Sequence, residues 1–385
     1  MKIRGRHFEN GEPVIVTVEN ERIVGVTPFH PDGDARELPL VAPGFFDLQI
    51  NGHGGRWFSS ETLTVDDVLE ILNAQFGYGV TRICPTLITN SFEALSHGFA
   101  TINEACQRET WAAKMVVGCH LEGPYISAED GPRGAHPIEH VRQPDWTEFS
   151  KLQKRSGNRI RIVTLAPELN AAIDFIHKAC DEGIVVAIGH TAASSDDIAA
   201  AVEAGAKLST HLGNGAHPVL PRHPNYIWDQ LANPRLYASL ITDGFHLPVS
   251  VMESFVRAKP SGRMIVTCDA SGLAGCPPGR YGEGGIDVEI LQDGRIVIAG
   301  QQALLAGSAL HTHDCIARLI RSTSASLVEA IYMVTKNPSR LLRSEDIRLR
   351  RGSRADLTVF RHDAKRGEFA IDRTIAAGVL RFDCR

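Results

Sequence analysis

Between about residue 45 and residue 345 the chain alternates short apolar, β-branched runs with longer segments whose apolar residues recur at helical spacing. The short runs are FFDLQI (45–50), VTRICPTL (80–87), KMVVGCHLE (114–122), RIRIVTLAP (159–167), GIVVAIGH (183–190), AKLSTH (206–211), LYASLITDG (236–244) and MIVTCDA (264–270). Such near-continuous apolar runs suit strands of a parallel sheet covered on both faces. The segments between them, such as TVDDVLEILNAQFGYGV and SSDDIAAAVEAGA, open on Ser, Thr or Asp and end in Gly. Those residues satisfy the free backbone groups at helix starts and permit the left-handed turn at helix ends. Eight strand-helix units in this span predict an α/β fold of the (β/α)8 TIM-barrel type, with working groups at the C-terminal ends of the strands.

The two ends of the chain read differently. PVIVTVEN and RIVGVTPF near the start, and ADLTVF and AAGVLRF near the end, are short alternating runs typical of hairpins. They predict a small β-sandwich built from residues 1–42 and 350–385, leaving residues 43–349 as the barrel. DVEILQDGRIVIAG (287–300) reads as a further hairpin with an Asp-Gly turn, inserted after the eighth strand.

Composition narrows the partners. With 385 residues, 43% apolar and 22% charged, the chain can bury a large core, and no apolar run approaches the ~20 residues a bilayer span requires. A net charge of -5 gives no broad attraction to nucleic acid or anionic lipid. The first residues lack an apolar core followed by a cleavage site, so a cytoplasmic location is expected. Cysteines 84, 106, 119, 180, 268, 276, 315 and 384 contain no C-x-x-C pair and read as reduced packing residues, with Cys84, Cys119 and Cys268 inside strand-like runs.

The strand ends carry the chemistry. Asp47, Gln49, Asn51 and His53 end the first strand, Glu122 the third, His190 the fifth and His211 the sixth. Asp243, with His246 beyond it, ends the seventh, and Asp269 the eighth. Glu122, His190 and His211 form a mixed nitrogen and oxygen set suited to one divalent, zinc-like ion with a position left open. A cation there would also neutralise the otherwise costly burial of Glu122. Asp269, one barrel position from that centre, is the candidate for proton transfer. His311 and His313 imitate an H-x-H pair, but on a helix positions i and i+2 diverge, so they read as structural. GPRGAH and DASGLAGCPPG lack the lysine and spacing of a phosphate-cradling loop and read as loops over the barrel mouth.

Taken together and in this order, PGFFDLQINGHGG, HLEGPYIS, GAHP, AIGHT, STHLGNG, DGFHLP, VTCDA, LAGSAL and TKNPSRLL…GSRADLTVF resemble the N-acetylglucosamine-6-phosphate deacetylases of the amidohydrolase superfamily. The resemblance runs over nearly the whole chain. It implies a hydrolase that removes the acetyl group of an N-acetylhexosamine, foremost N-acetylglucosamine-6-phosphate, with Glu122, His190 and His211 on the metal and Asp269 as general base and then acid. It further implies that His136 of GAHP contacts the substrate near its carbonyl, that Asn214 and Gly215 reach the phosphate end, and that His246 binds substrate, in this family at times across a dimer interface. Arg222 is a candidate phosphate contact, although the stretch GAHPVLPRHPNYIWDQLA departs from the family pattern. Gln49 and Asn51 stand where some relatives carry H-x-H and a second metal, so a single ion is expected, zinc first, with iron, cobalt or manganese as alternatives; His53 is the residue that could support a second. Rival readings are an amidohydrolase acting on an unphosphorylated N-acetyl sugar or another N-acyl or cyclic amide, and a sugar-binding protein on a barrel that has lost catalysis.

Overall fold

The computed structural model describes residues 1–283, 286–299, 301–363 and 368–385. Its centre is an eight-stranded parallel sheet formed by Phe45–Ile50, Val80–Ile88, Cys119–Glu122, Ile160–Leu165, Val185–Ile188, Leu208–Ser209, Tyr237–Ile241 and Met264–Thr267, each beside the next. A parallel bridge between Ile50 and Ala270 brings the last strand against the first, giving the predicted barrel. Phe46, Leu48, Cys84, Ile162, Ala187, Leu208 and Ile265, drawn from six strands, pack together as the lower plug of the barrel. The helices cover the outside. Helix Val65–Gln75 begins with a Thr64–Asp67 capping box and helix Ser195–Ala204 with a Ser194–Asp197 box, and Gly205 closes the second at φ 118°. These are the start and stop residues that the sequence pattern marks.

Several strands are shorter than the apolar runs. Lys114 and Met115 belong to helix Thr110–Met115 and not to the third strand, which begins only at Cys119. Met115 reads as part of the apolar run because the helix, like a strand, buries it. The chain ends form one seven-stranded sheet in the order Val379–Asp383, Glu368–Ala376, Leu357–Asp363, Leu40–Pro43, Lys2–His7, Pro13–Glu19, Arg22–Pro28. Val41 opposite Val359 is where the two termini meet, and Ile3, Val16, Ile23, Val41, Leu357 and Ile375 fill its core. Ile286–Ile290 and Arg295–Ile298 pair antiparallel as expected, within a four-stranded meander; Gly300, the end of the expected hairpin, lies outside the described residues. No described helix is long and apolar enough to cross a membrane. All eight cysteines are free, and Cys84, Cys119 and Cys268 are fully buried.

Lys259 is a buried lock that the sequence did not reveal. Its ammonium donates to the carbonyls of Gln230, Leu231 and Asn233 at 3.0, 3.0 and 2.8 Å, satisfying the end of helix Tyr226–Ala232. Substitution K259M is expected to lower unfolding free energy by about 2–4 kcal/mol, since buried carbonyls lose their donor. Urea denaturation measures this, and an unchanged midpoint would remove the lock.

Candidate active site and metal centre

Glu122 ends the third strand with its side chain buried in the mouth of the barrel. Its Oε1 lies 2.9 Å from His211 Nε2 and 3.3 Å from His190 Nε2, and the two Nε2 atoms are 3.1 Å apart. All three side chains are nearly inaccessible to solvent. His190 Nδ1 is 2.9 Å from the Pro132 carbonyl, an oxygen that can only accept, so Nδ1 carries the proton and Nε2 presents a lone pair. A carboxylate oxygen and an imidazole lone pair at this distance repel unless positive charge sits between them. Burial opposes ionisation of Glu122, yet the two neighbouring imidazoles, His190 and His211, outweigh it and hold the carboxyl well below its usual range. Burial likewise opposes protonation of His211, but Glu122 outweighs it and raises the imidazole. The pocket therefore favours a cation at its centre. An ion about 2.0–2.1 Å from each ligand spaces tetrahedral ligand atoms by about 3.3 Å, close to the separations found, so this donor set fits a divalent ion.

The backbone reaches this arrangement under strain. His190, His211 and Asp269 have φ of 52°, 26° and 49°, a left-handed conformation that side chains other than Gly, Asn and Asp rarely adopt. Each lies just past its strand, where the reversal follows the last sheet pairing. Gly215, at φ 57°, packs against the His190 ring: a Cβ there would stand 2.7 Å from Nδ1. Donor atoms of Glu122, His136 and His190 also fall within 4.8 Å of one another. His211 is the better third ligand, because its Nε2 already faces Glu122 Oε1, whereas His136 is tied at 2.7 Å from Nδ1 to Thr89 Oγ1. Burial, then His190, depresses the His136 pKa to about 3, so this imidazole is neutral.

Asp269 is half-buried and accepts from Asn51 Nδ2 at 2.7 Å. Burial, then the charge of Glu122, pushes its pKa up to about 7, the range of a proton carrier working near neutrality. His246 is half-buried with Nδ1 2.7 Å from Asp243 Oδ2, which leaves Nε2 as its other polar atom. Asn214 is half-buried and donates to the His211 carbonyl at 3.2 Å. Arg222 is exposed on the loop after the sixth strand.

Other strand-end residues divide. Asp47 accepts from the backbone of Gln49 and Cys268, each at 3.0 Å, and from Thr312 at 2.7 Å and Thr267, so it ties the first strand to the eighth. His53 lies beside His311, with ring centroids 5.2 Å apart, and His311 stacks on Tyr78 at 3.5 Å. His311 is not inside a helix but caps the start of Thr312–Ser322, so helical divergence is not what parts it from His313. Missing from the sequence reading were Thr89, the partner of His136, and the contacts of Gln49 and Asn51 with the two acids. For the amides no local pattern gave these contacts, because they depend on the register shift between Asp47 and Ile50 against the second strand.

The amidohydrolase family model matches residues 40–380. The N-acetylglucosamine-6-phosphate deacetylase of Bos taurus is 33% identical over 311 residues, covering 79% of this chain and 74% of that protein. The N-acetylgalactosamine-6-phosphate deacetylase of Escherichia coli O157:H7 is 30% identical over 337 residues, covering 87% of each. A solved structure of N-acetyl-D-glucosamine-6-phosphate deacetylase from Mycobacterium smegmatis, in complex with N-acetyl-D-glucosamine-6-phosphate, superposes with a TM-score of 0.85 at 27% identity, over 96% of this chain and 94% of that one.

Proposed function

The chain belongs to the amidohydrolase family, and from that premise we propose that it hydrolyses the acetamido group of an N-acetylhexosamine 6-phosphate, releasing acetate and the amino sugar 6-phosphate. The observation that carries this reading is the meeting of Glu122 Oε1 with two imidazole Nε2 atoms, beside the carboxyl of Asp269 with its raised pKa. The gluco sugar is the first expectation, since the Bos taurus relative bears that name; the galacto epimer follows from the Escherichia coli relative. Residues 43–349 are assigned to the catalytic barrel, and 1–42 with 350–385 to the smaller unit.

Glu122, His190 and His211 would hold one divalent ion, zinc first, which when bound polarises an amide carbonyl and lowers the pKa of water. Asp269 accepts a proton from the attacking water as the new C–O bond forms. It then gives that proton to the departing nitrogen as the C–N bond breaks, so the amine leaves neutral. With the Thr89 hydroxyl 2.7 Å from His136 Nδ1 as the donor of that contact, the ring's proton would lie on Nε2, where it can donate to the developing oxyanion. His246, oriented by Asp243, contacts the sugar. Asn214, Gly215 and Arg222 serve the phosphate end. Purified protein loaded with Zn2+ is expected to release amine from N-acetylglucosamine-6-phosphate faster than from unphosphorylated N-acetylglucosamine or N-acyl amino acids; no release from any N-acetylhexosamine 6-phosphate would refute the reading.

A homodimer and a cytoplasmic location complete the proposal. Ile138, Val219, Trp228 and Val249 are at least half exposed, and all follow the C-terminal ends of barrel strands. Apolar groups on one rim support burial against a second copy of the chain. Arg222, exposed on the same rim, would then sit between copies. R222A is expected to raise KM for the phosphorylated sugar by about 10–100-fold, the worth of a charged hydrogen bond, while kcat/KM for the unphosphorylated sugar stays within a few-fold. Equal losses on both substrates would take Arg222 away from the phosphate.

A further inference from the structure

Two side chains at the end of the first strand, Gln49 in it and Asn51 just beyond, are buried in the site without a part in the chemistry just described. Gln49 Nε2 donates to Glu122 Oε1 at 2.7 Å, and Asn51 Nδ2 donates to Asp269 Oδ1 at 2.7 Å. We infer that Gln49 and Asn51 are a pair of positioning residues, Gln49 fixing the cation-facing carboxylate of Glu122 and Asn51 fixing the proton-carrying carboxylate of Asp269. The inference rests on the deacetylase reading of the site.

The local fold is built to present both amides. Phe46 and Leu48 fill the lower plug of the barrel, so strict alternation would send Gln49 outward. Pairing with the second strand instead shifts register between Asp47 and Ile50. That shift changes which residues face the mouth, turning Gln49 and Asn51 inward. The backbone on either side is pinned. Gln49 N donates to Asp47 at 3.0 Å and Gln49 O accepts from Thr267 at 3.2 Å. Asn51 N donates to Ala270 O at 2.8 Å, and Asn51 O accepts from Phe58 N at 2.9 Å. Each carboxamide therefore projects from a fixed point.

Their chemistry suits the task. An ionised carboxylate only accepts hydrogen bonds, so when both acids are ionised the amide nitrogens face them, the orientation found here. Asn51 Oδ1 is buried and has no hydrogen-bond partner among the described residues. Leaving a buried carbonyl unpaired is unfavourable, so stability alone would favour an apolar residue there; the contact with Asp269 is what the carboxamide supplies. By occupying Asp269 Oδ1, Asn51 leaves Oδ2 as the oxygen that exchanges the proton. Gln49 occupies the same Glu122 oxygen that faces both imidazoles. Both donors are neutral and weak ligands for a zinc-like ion, so they orient the acids without creating a second cation site.

The test separates two properties. Zinc affinity is read without turnover, by competition between the full-length protein and a chromophoric chelator with Zn2+ as the only probe. Q49L is expected to bind zinc about 10–100-fold more weakly, while N51L binds it as wild type does. At saturating zinc, N51L is expected to lose about 10–100-fold in kcat with little change in KM, and N51S, which keeps a donor, to recover part of that loss. A merely structural role would move both properties together in both variants, and that result, or no change in either, overturns the inference. If the leucine variants do not fold, Q49N and N51S carry the same comparison. A wild-type protein that binds zinc but cleaves no acetamido sugar would sink the functional reading alone, because the split in zinc affinity is then still measured.

Discussion

Replacing Asp269 with asparagine is expected to lower kcat for deacetylation by about 10²–10⁴-fold, the usual contribution of a positioned general acid-base group. Asparagine has nearly the shape of aspartate, so the loss reports the missing proton carrier and not a vacated space. The zinc content should remain one ion per chain. Burial and the charge of Glu122 push the Asp269 pKa up to about 7. The base works ionised, so activity rises with pH through that group. A cation held by Glu122 and the two imidazoles favours the ionised form of Asp269, and the acidic limb of the zinc-loaded enzyme should therefore have its midpoint below that value. Rate measurements across pH on wild type and D269N check both statements. Undiminished kcat in D269N, or an acidic limb that survives in it unchanged, would remove Asp269 from proton transfer.

Loss of a cation ligand should be at least as severe. H211A leaves the carboxylate of Glu122 with one imidazole in place of two, and activity at stoichiometric zinc is expected to fall by about 10³-fold or more, since the carbonyl loses several kcal/mol of charge stabilisation. Chelator-treated wild type should be inactive and recover on addition of one equivalent of Zn2+. A ligand that binds only the folded state raises stability by mass action, about 4 kcal/mol at a thousandfold excess over Kd. Zinc should accordingly raise the melting temperature of wild type and much less that of H211A. Two tightly held ions per chain, or an H211A protein that binds zinc as wild type does, would break the one-cation assignment.

Gln49, Asn51 and Asp47 mark how far the sequence could be read. All three were legible as polar residues at the end of the first strand, and the amides were expected to disfavour a second metal. What each touches was not legible. Asp47 looked like one more acid near the mouth, yet its carboxylate is occupied by Gln49, Cys268, Thr267 and Thr312. Those donors lie more than 200 positions away in all but one case, beyond any local pattern. Lys114 and Met115 illustrate a different limit. A short apolar run fits a strand or a buried helix face equally well until packing decides, and here it forms a helix.

The sequence by itself determined the alternation of strands and helices, the caps that start the helices, the closing of the fold from both chain ends, and the identity of the acid and imidazoles at the strand ends. These follow from periodicity and side-chain chemistry, which are local properties of the chain. Tertiary structure decided which atoms meet: the register shift between Asp47 and Ile50 that turns the amides inward, and the left-handed backbone at His190, His211 and Asp269. The physical reason is that both depend on pairing and packing between segments far apart in sequence. The surrounding barrel holds these strained residues in place, while no short stretch of the chain favours those conformations alone.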